Sequence, residues 1–208
     1  MSYFILFTGI LTAYLIGSIP TAYIFGRLLK GIDIRRFGSG NVGATNAFRV
    51  MGRTPALSVL VIDILKGFIS TAYIAGAVLY LSPVSRVQLY RVLVGLSSII
   101  GHNWPVFLRF RGGKGVATSA GVVMGLIPKI FLLGLSVWSV VFFITGYVSV
   151  ASIFAAFTVP LFALVFGESI EIVVFISLLS IMLVYRHKSN IRRLRRGEEK
   201  RIELFKKR

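Results

Sequence analysis

The chain has 208 residues, is 56% hydrophobic, and carries a formal charge of +17 from 24 Lys and Arg against 7 Asp and Glu. A mean hydropathy of +0.83 is too apolar for a domain with a wetted surface; the cations fit the positive-inside bias of a membrane protein and the anionic cytoplasmic leaflet, and no nucleic acid partner is expected. With no cysteine, disulfides, thiolate metal ligands and a cysteine nucleophile are excluded, and His102 and His187 beside scattered carboxylates give no metal-ligand spacing, so neither a metal nor a cofactor is expected.

Residues 4–25 are almost wholly apolar and long enough to cross a hydrocarbon core of about 30 Å. Gly17-Ser18-Ile19-Pro20 makes no small-x-small exit, so this first span is expected to stay in the protein. Residues 26–54 read as a polar loop in which Arg27, Lys30, Arg35, Arg36, Arg49 and Arg53 outweigh Asp33, which points to the cytoplasm. A second span, 55–81, is interrupted by Asp63 and Lys66, whose spacing stacks them on one helix face. They are expected to pair near the cytoplasmic end and to support a site from below.

After an outside loop holding Arg86 and Arg91, a third span over 92–108 ends in Gly101-His102-Asn103-Trp104-Pro105, with His102 as a hydrogen-bonding residue at the helix end. Residues 116–127 are short for a crossing. A helix that begins inside the protein surface reconciles that shortness with spanning. The apolar run from Lys129 to Gly167 is too long for one crossing and divides at Thr145-Gly146-Tyr147 into spans 130–145 and 148–166. Glu168 and Glu171 mark an outside loop, 172–186 is the last span, and 187–208 is a basic cytoplasmic tail whose charges are read as mostly solvated or on lipid headgroups.

The expected fold is therefore an all-α integral membrane protein, one polytopic domain over 1–208 with seven transmembrane helices. An outside N-terminus and a cytoplasmic C-terminus leave 20 of the 24 cations on the cytoplasmic side, which a six-span or eight-span count would break.

Three polar stretches then share one membrane face. Gly112-Gly113-Lys114-Gly115-Val116-Ala117-Thr118 offers glycines, an ammonium and the start of a helix, the features of a phosphate cradle. It is not the nucleotide-binding Walker pattern, which lacks its first glycine and its Ser or Thr here. Small residues packing one membrane helix on another, with Lys114 snorkelling, are the plain structural reading. Gly38-Ser39-Gly40-Asn41-Val42-Gly43-Ala44-Thr45-Asn46 with Arg49 is the second stretch, and His187-Lys188-Ser189-Asn190-Ile191 with Arg192 and Arg193 the third. Hydroxyls, amides and cations without carboxylates suit bound phosphate, each charged hydrogen bond contributing roughly 1.5–3 kcal/mol. Taken singly, the second can be a turn, and His187 can cap the last helix.

These stretches resemble a family, the bacterial acyl-phosphate-dependent glycerol-3-phosphate acyltransferases of the PlsY type. The likeness runs through Gly17-Ser18-Ile19-Pro20, the Gly38 to Asn46 stretch with Arg49, Asp63-x-x-Lys66-Gly67, Gly101-His102-x-x-Pro105, Gly112 to Thr118, and His187-x-x-Asn190-Ile191-x-Arg193-Leu194. It implies transfer of a fatty acyl group from acyl phosphate to the sn-1 hydroxyl of glycerol 3-phosphate in the bacterial cytoplasmic membrane, the first acylation of phospholipid synthesis. Ser39, Arg49, Lys114, His187 and Asn190 would hold glycerol 3-phosphate. Gly40, Asn41, Thr45, Asn46 and the backbone of Gly112, Gly113 and Gly115 would hold the acyl phosphate, with Lys114, His187 and Asn190 nearest the chemistry and Asp63 and Lys66 in support. Membrane lipids surround such a protein, and a soluble enzyme that makes the acyl phosphate is a family-level partner. The three stretches hold no carboxylate base, leaving His187 or a phosphate oxygen of the donor to accept the hydroxyl proton. Rival readings are a transporter of an anionic solute, expected to show repeated halves and midplane polar groups, and a membrane anchor with a basic tail.

Overall fold

The computed structural model describes residues 2–202, and their regular structure is entirely helical, with eleven α-helices and no strand among them. The chain divides into two compact units, Met1–Ile127 and Pro128–Arg208. The first contains α1 (Ser2–Ser18), α2 (Thr21–Lys30), α3 (Ala44–Met51), α4 (Arg53–Ile69), α5 (Ala75–Leu81), α6 (Val87–Asn103) and α7 (Val116–Leu126). The second contains α8 (Pro128–Thr145), α9 (Val148–Val165), α10 (Ile170–Arg186) and α11 (Lys188–Arg195).

Four helical stretches are long and apolar enough to cross a membrane: Ser2–Lys30, Arg53–Leu81, Pro128–Thr145 and Val148–Val165. A fifth arises if α10 and α11, which meet at 51°, are counted as one, and Val116–Leu126 is apolar but shorter. Large apolar side chains such as Phe7, Phe143, Phe157, Leu178 and Ile181 lie exposed on these helices, an arrangement that suits lipid rather than water.

Within the first unit the helices approach closely because glycine stands at the crossings. α1 packs on α6, where a Cβ built on Gly17 would lie 2.0 Å from the Ser98 carbonyl oxygen. α4 packs on α7, where a Cβ on Gly121 would lie 1.9 Å from the Ile64 carbonyl oxygen. Without a hydrophobic drive between helices in lipid, such backbone proximity is the main source of packing. In the second unit α9 packs against both α8 and α10.

Several elements differ from the sequence reading. The first apolar segment is not one helix over 4–25 but breaks at Ile19-Pro20, because proline has no N–H to donate and pushes the residue before it out of the helical region. Residues 26–54 are not merely a loop; they hold the end of α2, a 3-10 turn at Ile34–Arg36, and α3. Arg91 is not in a loop but inside α6, donating to the carbonyls of Gly125 (2.7 Å) and Thr71 (3.4 Å). Thr71 lies in a π-helical turn, Ser70–Ile74, between α4 and α5. Arg91 thus satisfies the Gly125 carbonyl, which lies in the last turn of α7 where carbonyls lack helical donors, and ties it to the π turn. The tail is also folded rather than merely solvated: α11 continues into a segment whose Ile202 N–H donates to the Gly146 carbonyl at 2.9 Å. Its last six residues, 203–208, lie outside the described residues.

Asp63 and Lys66 are both buried and pair at 2.7 Å. Lys66 Nζ also donates to the Ile19 carbonyl and to Thr21 Oγ1, and Thr21 Oγ1 donates to Asp63 at 3.0 Å. The ion pair therefore fastens α4 to the α1–α2 break. Removing one partner strands the other charge, at a cost of about 3–5 kcal/mol, whereas removing both does not. Asp63→Ala and Lys66→Met are each expected to lower the thermal unfolding midpoint in detergent by more than the Asp63→Ala/Lys66→Met double substitution does. A double variant less stable than either single one contradicts this account.

Candidate active site

Three helices of the first unit begin on glycine with no side-chain cap: α3 on Gly43, α4 on Gly52 and α7 on Gly115, of which the first and last lie in the glycine-rich stretches. The N–H groups of a helix's first turn have no intrahelical partner and sit at the positive end of its dipole, so each start offers a place for an anion. Gly115 reaches its capping conformation at φ +80, and a Cβ there would also come within 2.7 Å of Asn103 Oδ1.

The cradle loop is backed by the end of α6. The Gly112 N–H donates to the Asn103 carbonyl at 3.2 Å and the Gly113 N–H to the His102 carbonyl at 3.1 Å. A Cβ on Gly113 would lie 2.2 Å from His102 Nε2, and one on Gly112 would lie 2.4 Å from Pro105 Cδ. Glycine is therefore required here for close packing. With those two N–H groups committed to α6, Gly115 and the first turn of α7 supply the helix-start donors of this loop. Lys114 is partly buried within the loop.

His102 ties this loop to the buried ion pair, its Nδ1 lying 3.8 Å from Asp63 Oδ1. Val42, one residue before the glycine cap of α3, lines a small pocket together with His102, Pro105 and residues 17–21. The 38–46 stretch and the cradle thus meet over one floor, made of the α1–α2 break, the end of α6, and the Asp63–Lys66 pair beneath.

Within the 38–46 stretch, Asn46 is buried and its carboxamide is fully engaged. Its Nδ2 donates to the carbonyls of Phe37 (3.1 Å) and Ile34 (3.3 Å), and its Oδ1 accepts the Ser39 N–H at 2.8 Å. Asn46 therefore shapes the loop that carries Ser39, and both of its amide hydrogens are spent on that loop. The Arg35 guanidinium beside Asp33 holds that carboxyl down at about 2, and Asp33 in turn accepts the Arg35 N–H at the start of the 3-10 turn. Ser39 is exposed, Arg49 and Thr45 are partly buried, and Arg49 stands in the last turn of α3.

In the second unit His187 is buried at the junction of α10 and α11, and its Nδ1 is 2.8 Å from the Leu183 carbonyl. A carbonyl only accepts, so Nδ1 carries a proton, and Nε2 is an acceptor in the neutral ring and a donor only in the imidazolium. Asn190 is buried on α11 and donates through Nδ2 to Glu199 at 2.7 Å.

Sequence reasoning missed Thr21, Asn103 and Glu199 and gave His102 only a helix-end role. Gly17-Ser18-Ile19-Pro20 and Gly101-His102-x-x-Pro105 were visible as motifs, but the bond from Thr21 to Asp63 spans 42 positions and no local pattern announces it.

Residues 7–197 match the family described as Glycerol-3-phosphate acyltransferase. The chain is 45% identical over 195 residues to the glycerol-3-phosphate acyltransferase of Staphylococcus aureus strain JH9, covering 93% of this chain and 96% of the relative, and equally so to that of strain Newman. It resembles the crystal structure of PlsY (YgiH), an integral membrane glycerol 3-phosphate acyltransferase, in its glycerol 3-phosphate form, with a TM-score of 0.86 and 39% identity over 95% of this chain and 96% of that one. The lysophosphatidic acid form of PlsY gives a TM-score of 0.83 and 38% identity over 95% of each chain.

The role of Asn46 is open to a direct check. Asn46→Asp keeps the acceptor for Ser39 but loses both amide donors, so the loop is expected to open more often. Amide hydrogen exchange at Ser39 and Gly40 should accelerate by about tenfold or more, the effect of losing roughly 1.4 kcal/mol of local protection. Unchanged exchange at both positions contradicts the assignment.

Proposed function

The chain belongs to the glycerol-3-phosphate acyltransferase family, and from that premise we propose that it transfers a fatty acyl group from acyl phosphate to the sn-1 hydroxyl of glycerol 3-phosphate. The products are lysophosphatidic acid and inorganic phosphate. The observation that carries this reading is the likeness, over 95% of the chain, to an integral membrane acyltransferase solved with glycerol 3-phosphate and with lysophosphatidic acid, which differ by one acyl group. Acyl phosphate as donor is supported by the motif resemblance. A transporter of anionic solutes has no support among these relatives.

In the proposed reaction the C1 oxygen of glycerol 3-phosphate attacks the acyl carbonyl carbon. An ester bond forms, the bond from that carbon to the phosphate oxygen breaks, and phosphate leaves. Two phosphates near −2 make four unit-charge pairs, each costing roughly 4 kcal/mol at about 4 Å and an effective dielectric near 20. Fixed cations must offset that repulsion. In the first unit we assign Arg49, Lys114 and Ser39 to glycerol 3-phosphate, and Gly40, Asn41, Thr45, the N–H of Gly115 and the first turn of α7 to the donor. Asn46, Gly112 and Gly113 serve by shaping these loops. In the second unit His187 and Asn190 are assigned to glycerol 3-phosphate. The hydroxyl proton passes to an oxygen of the departing phosphate, so that catalysis is mainly placement and charge stabilisation. The accompanying topology is seven spans in the cytoplasmic membrane, with the N-terminus outside and the reacting groups at the cytoplasmic face.

Purified protein in lipid nanodiscs is expected to form 1-acyl lysophosphatidic acid from acyl phosphate and glycerol 3-phosphate, and none from acyl-coenzyme A. Arg49→Ala, Arg49→Lys and Lys114→Ala should each lose at least about a hundredfold in turnover, because an ammonium cannot reproduce the guanidinium fork and each lost cation removes several kcal/mol of charge stabilisation. Turnover with acyl-coenzyme A, or near-normal Arg49→Ala, contradicts the respective assignment.

His187 separates the two candidates for the base. His187→Gln keeps a hydrogen-bonding side chain but accepts no proton at neutral pH, so a donor-phosphate base leaves turnover within about one to two orders of magnitude of the parent. Equal losses of roughly ten-thousandfold in His187→Gln and His187→Ala, with glycerol 3-phosphate binding intact, make His187 the base instead.

A further inference from the structure

Glu199 is 8% exposed, while residues 195 to 198 before it and Lys200 after it are exposed. Burying a carboxylate in so cationic a segment is costly unless donors meet it. Three do. Asn190 Nδ2 donates to Oε1 at 2.7 Å, Ser149 Oγ donates to Oε1 at 3.2 Å, and Arg193 Nε donates to Oε2 at 2.6 Å.

The local chain explains how this residue reaches them. Asn190 and Arg193 stand three apart on α11 and share one face. At the helix end Gly197 takes φ +68, and the Glu198 N–H returns to the Arg193 carbonyl at 2.8 Å. This reversal is the kind that glycine permits after a helix, and it folds the following residues back over the Asn190 and Arg193 face. Further on, Ile202 is bonded to Gly146, and the Arg201 guanidinium lies 5.1 Å from the Tyr147 ring centre. Residues 197–202 thus form a strap from α11 to the turn between α8 and α9, with Glu199 as its buried anchor. The match to the family ends at residue 197, two positions before this carboxylate.

We propose that Glu199 is a positioning residue for the acceptor substrate: by accepting from Asn190 Nδ2 it fixes which end of that amide points away from the strap. A carboxylate only accepts, so the amide cannot turn its oxygen toward Glu199. Oδ1 is directed to the other side, where an acceptor suits a hydroxyl of glycerol 3-phosphate. This inference rests on the assignment of Asn190 to that substrate.

The test compares Glu199→Ala, Glu199→Gln, Asn190→Ala and the Asn190→Ala/Glu199→Ala double variant in nanodiscs, varying each substrate in turn. Glu199→Ala is expected to raise KM for glycerol 3-phosphate by about tenfold while KM for acyl phosphate stays within about twofold. Glu199→Gln keeps an oxygen for Asn190 but meets Arg193 with a donor, so its KM should fall between the parent and Glu199→Ala. In the Asn190→Ala background the second substitution should add less than about twofold, since the two act as one unit. An impaired Asn190→Ala beside a normal Glu199→Ala overturns the positioning role alone. An unchanged KM in Asn190→Ala overturns the Asn190 assignment and the positioning role with it. Full tenfold losses that add in the double variant, or a collapse of kcat in Glu199→Gln at unchanged KM, also overturn it. Should Glu199→Ala fail to fold, Glu199→Gln against Asn190→Ala gives the same discrimination.

Discussion

The buried pair of Asp63 and Lys66 is the interaction on which the first unit depends. Its ammonium donates to the Ile19 carbonyl at the break before Pro20, where that oxygen also accepts the Thr21 N–H, and its carboxylate receives the Thr21 hydroxyl and faces His102. Three separate helices, α1, α4 and α6, are thereby fixed at one level. Each arm alone is an unfavourable object in an apolar interior: an opened backbone, a bare ammonium, a bare carboxylate. Together they are mutually compensating, which is the condition under which charges persist in a membrane protein. The glycine loop before α7 and the glycine start of α3 both lean on this floor, the former through the carbonyls of His102 and Asn103 and the latter through the pocket shared with Val42.

That arrangement bears on chemistry because the proposed reaction brings together two polyanions. A site for it needs donors that cannot collapse onto each other when empty and cannot be neutralised by nearby carboxylates. Backbone N–H groups at helix starts meet the first condition, since their direction is fixed by the helix. The second is met by a division of labour: Asp63 and Glu199 are each buried and engaged by donors from the protein itself. The carboxylates thus organise the surroundings, while Arg49 and Lys114 carry the charge proposed to meet substrate.

The helical class and the membrane character were legible because the lengths of the apolar runs and the excess of cations carry them directly. The start of α7 at Val116 was readable as well, three glycines preceding an apolar run. What escaped the sequence has a common cause. The engaged amide of Asn46, the bond between Thr21 and Asp63, and the burial of Glu199 all depend on chain reversals that bring together residues whose identities permit several partners. Arg91 reads as a loop residue in the sequence because counting charges ranks sides of a membrane, not depth, and the carbonyls it serves lie 20 and 34 positions away, in a π turn and at the end of α7. In the basic tail, a lone buried glutamate is invisible among cations until Gly197 folds it inward.

The proposed function requires the cationic and glycine-rich stretches to work at the cytoplasmic face, and seven spans are the topology proposed to put them there. The native chain has no cysteine, so single introduced cysteines report on sidedness without background. With a membrane-impermeant thiol reagent on intact cells, Glu168→Cys is expected to label, whereas Gly40→Cys and Ser189→Cys should label only after permeabilisation. Labelling of Gly40→Cys and Ser189→Cys from outside, with Glu168→Cys protected, contradicts the account.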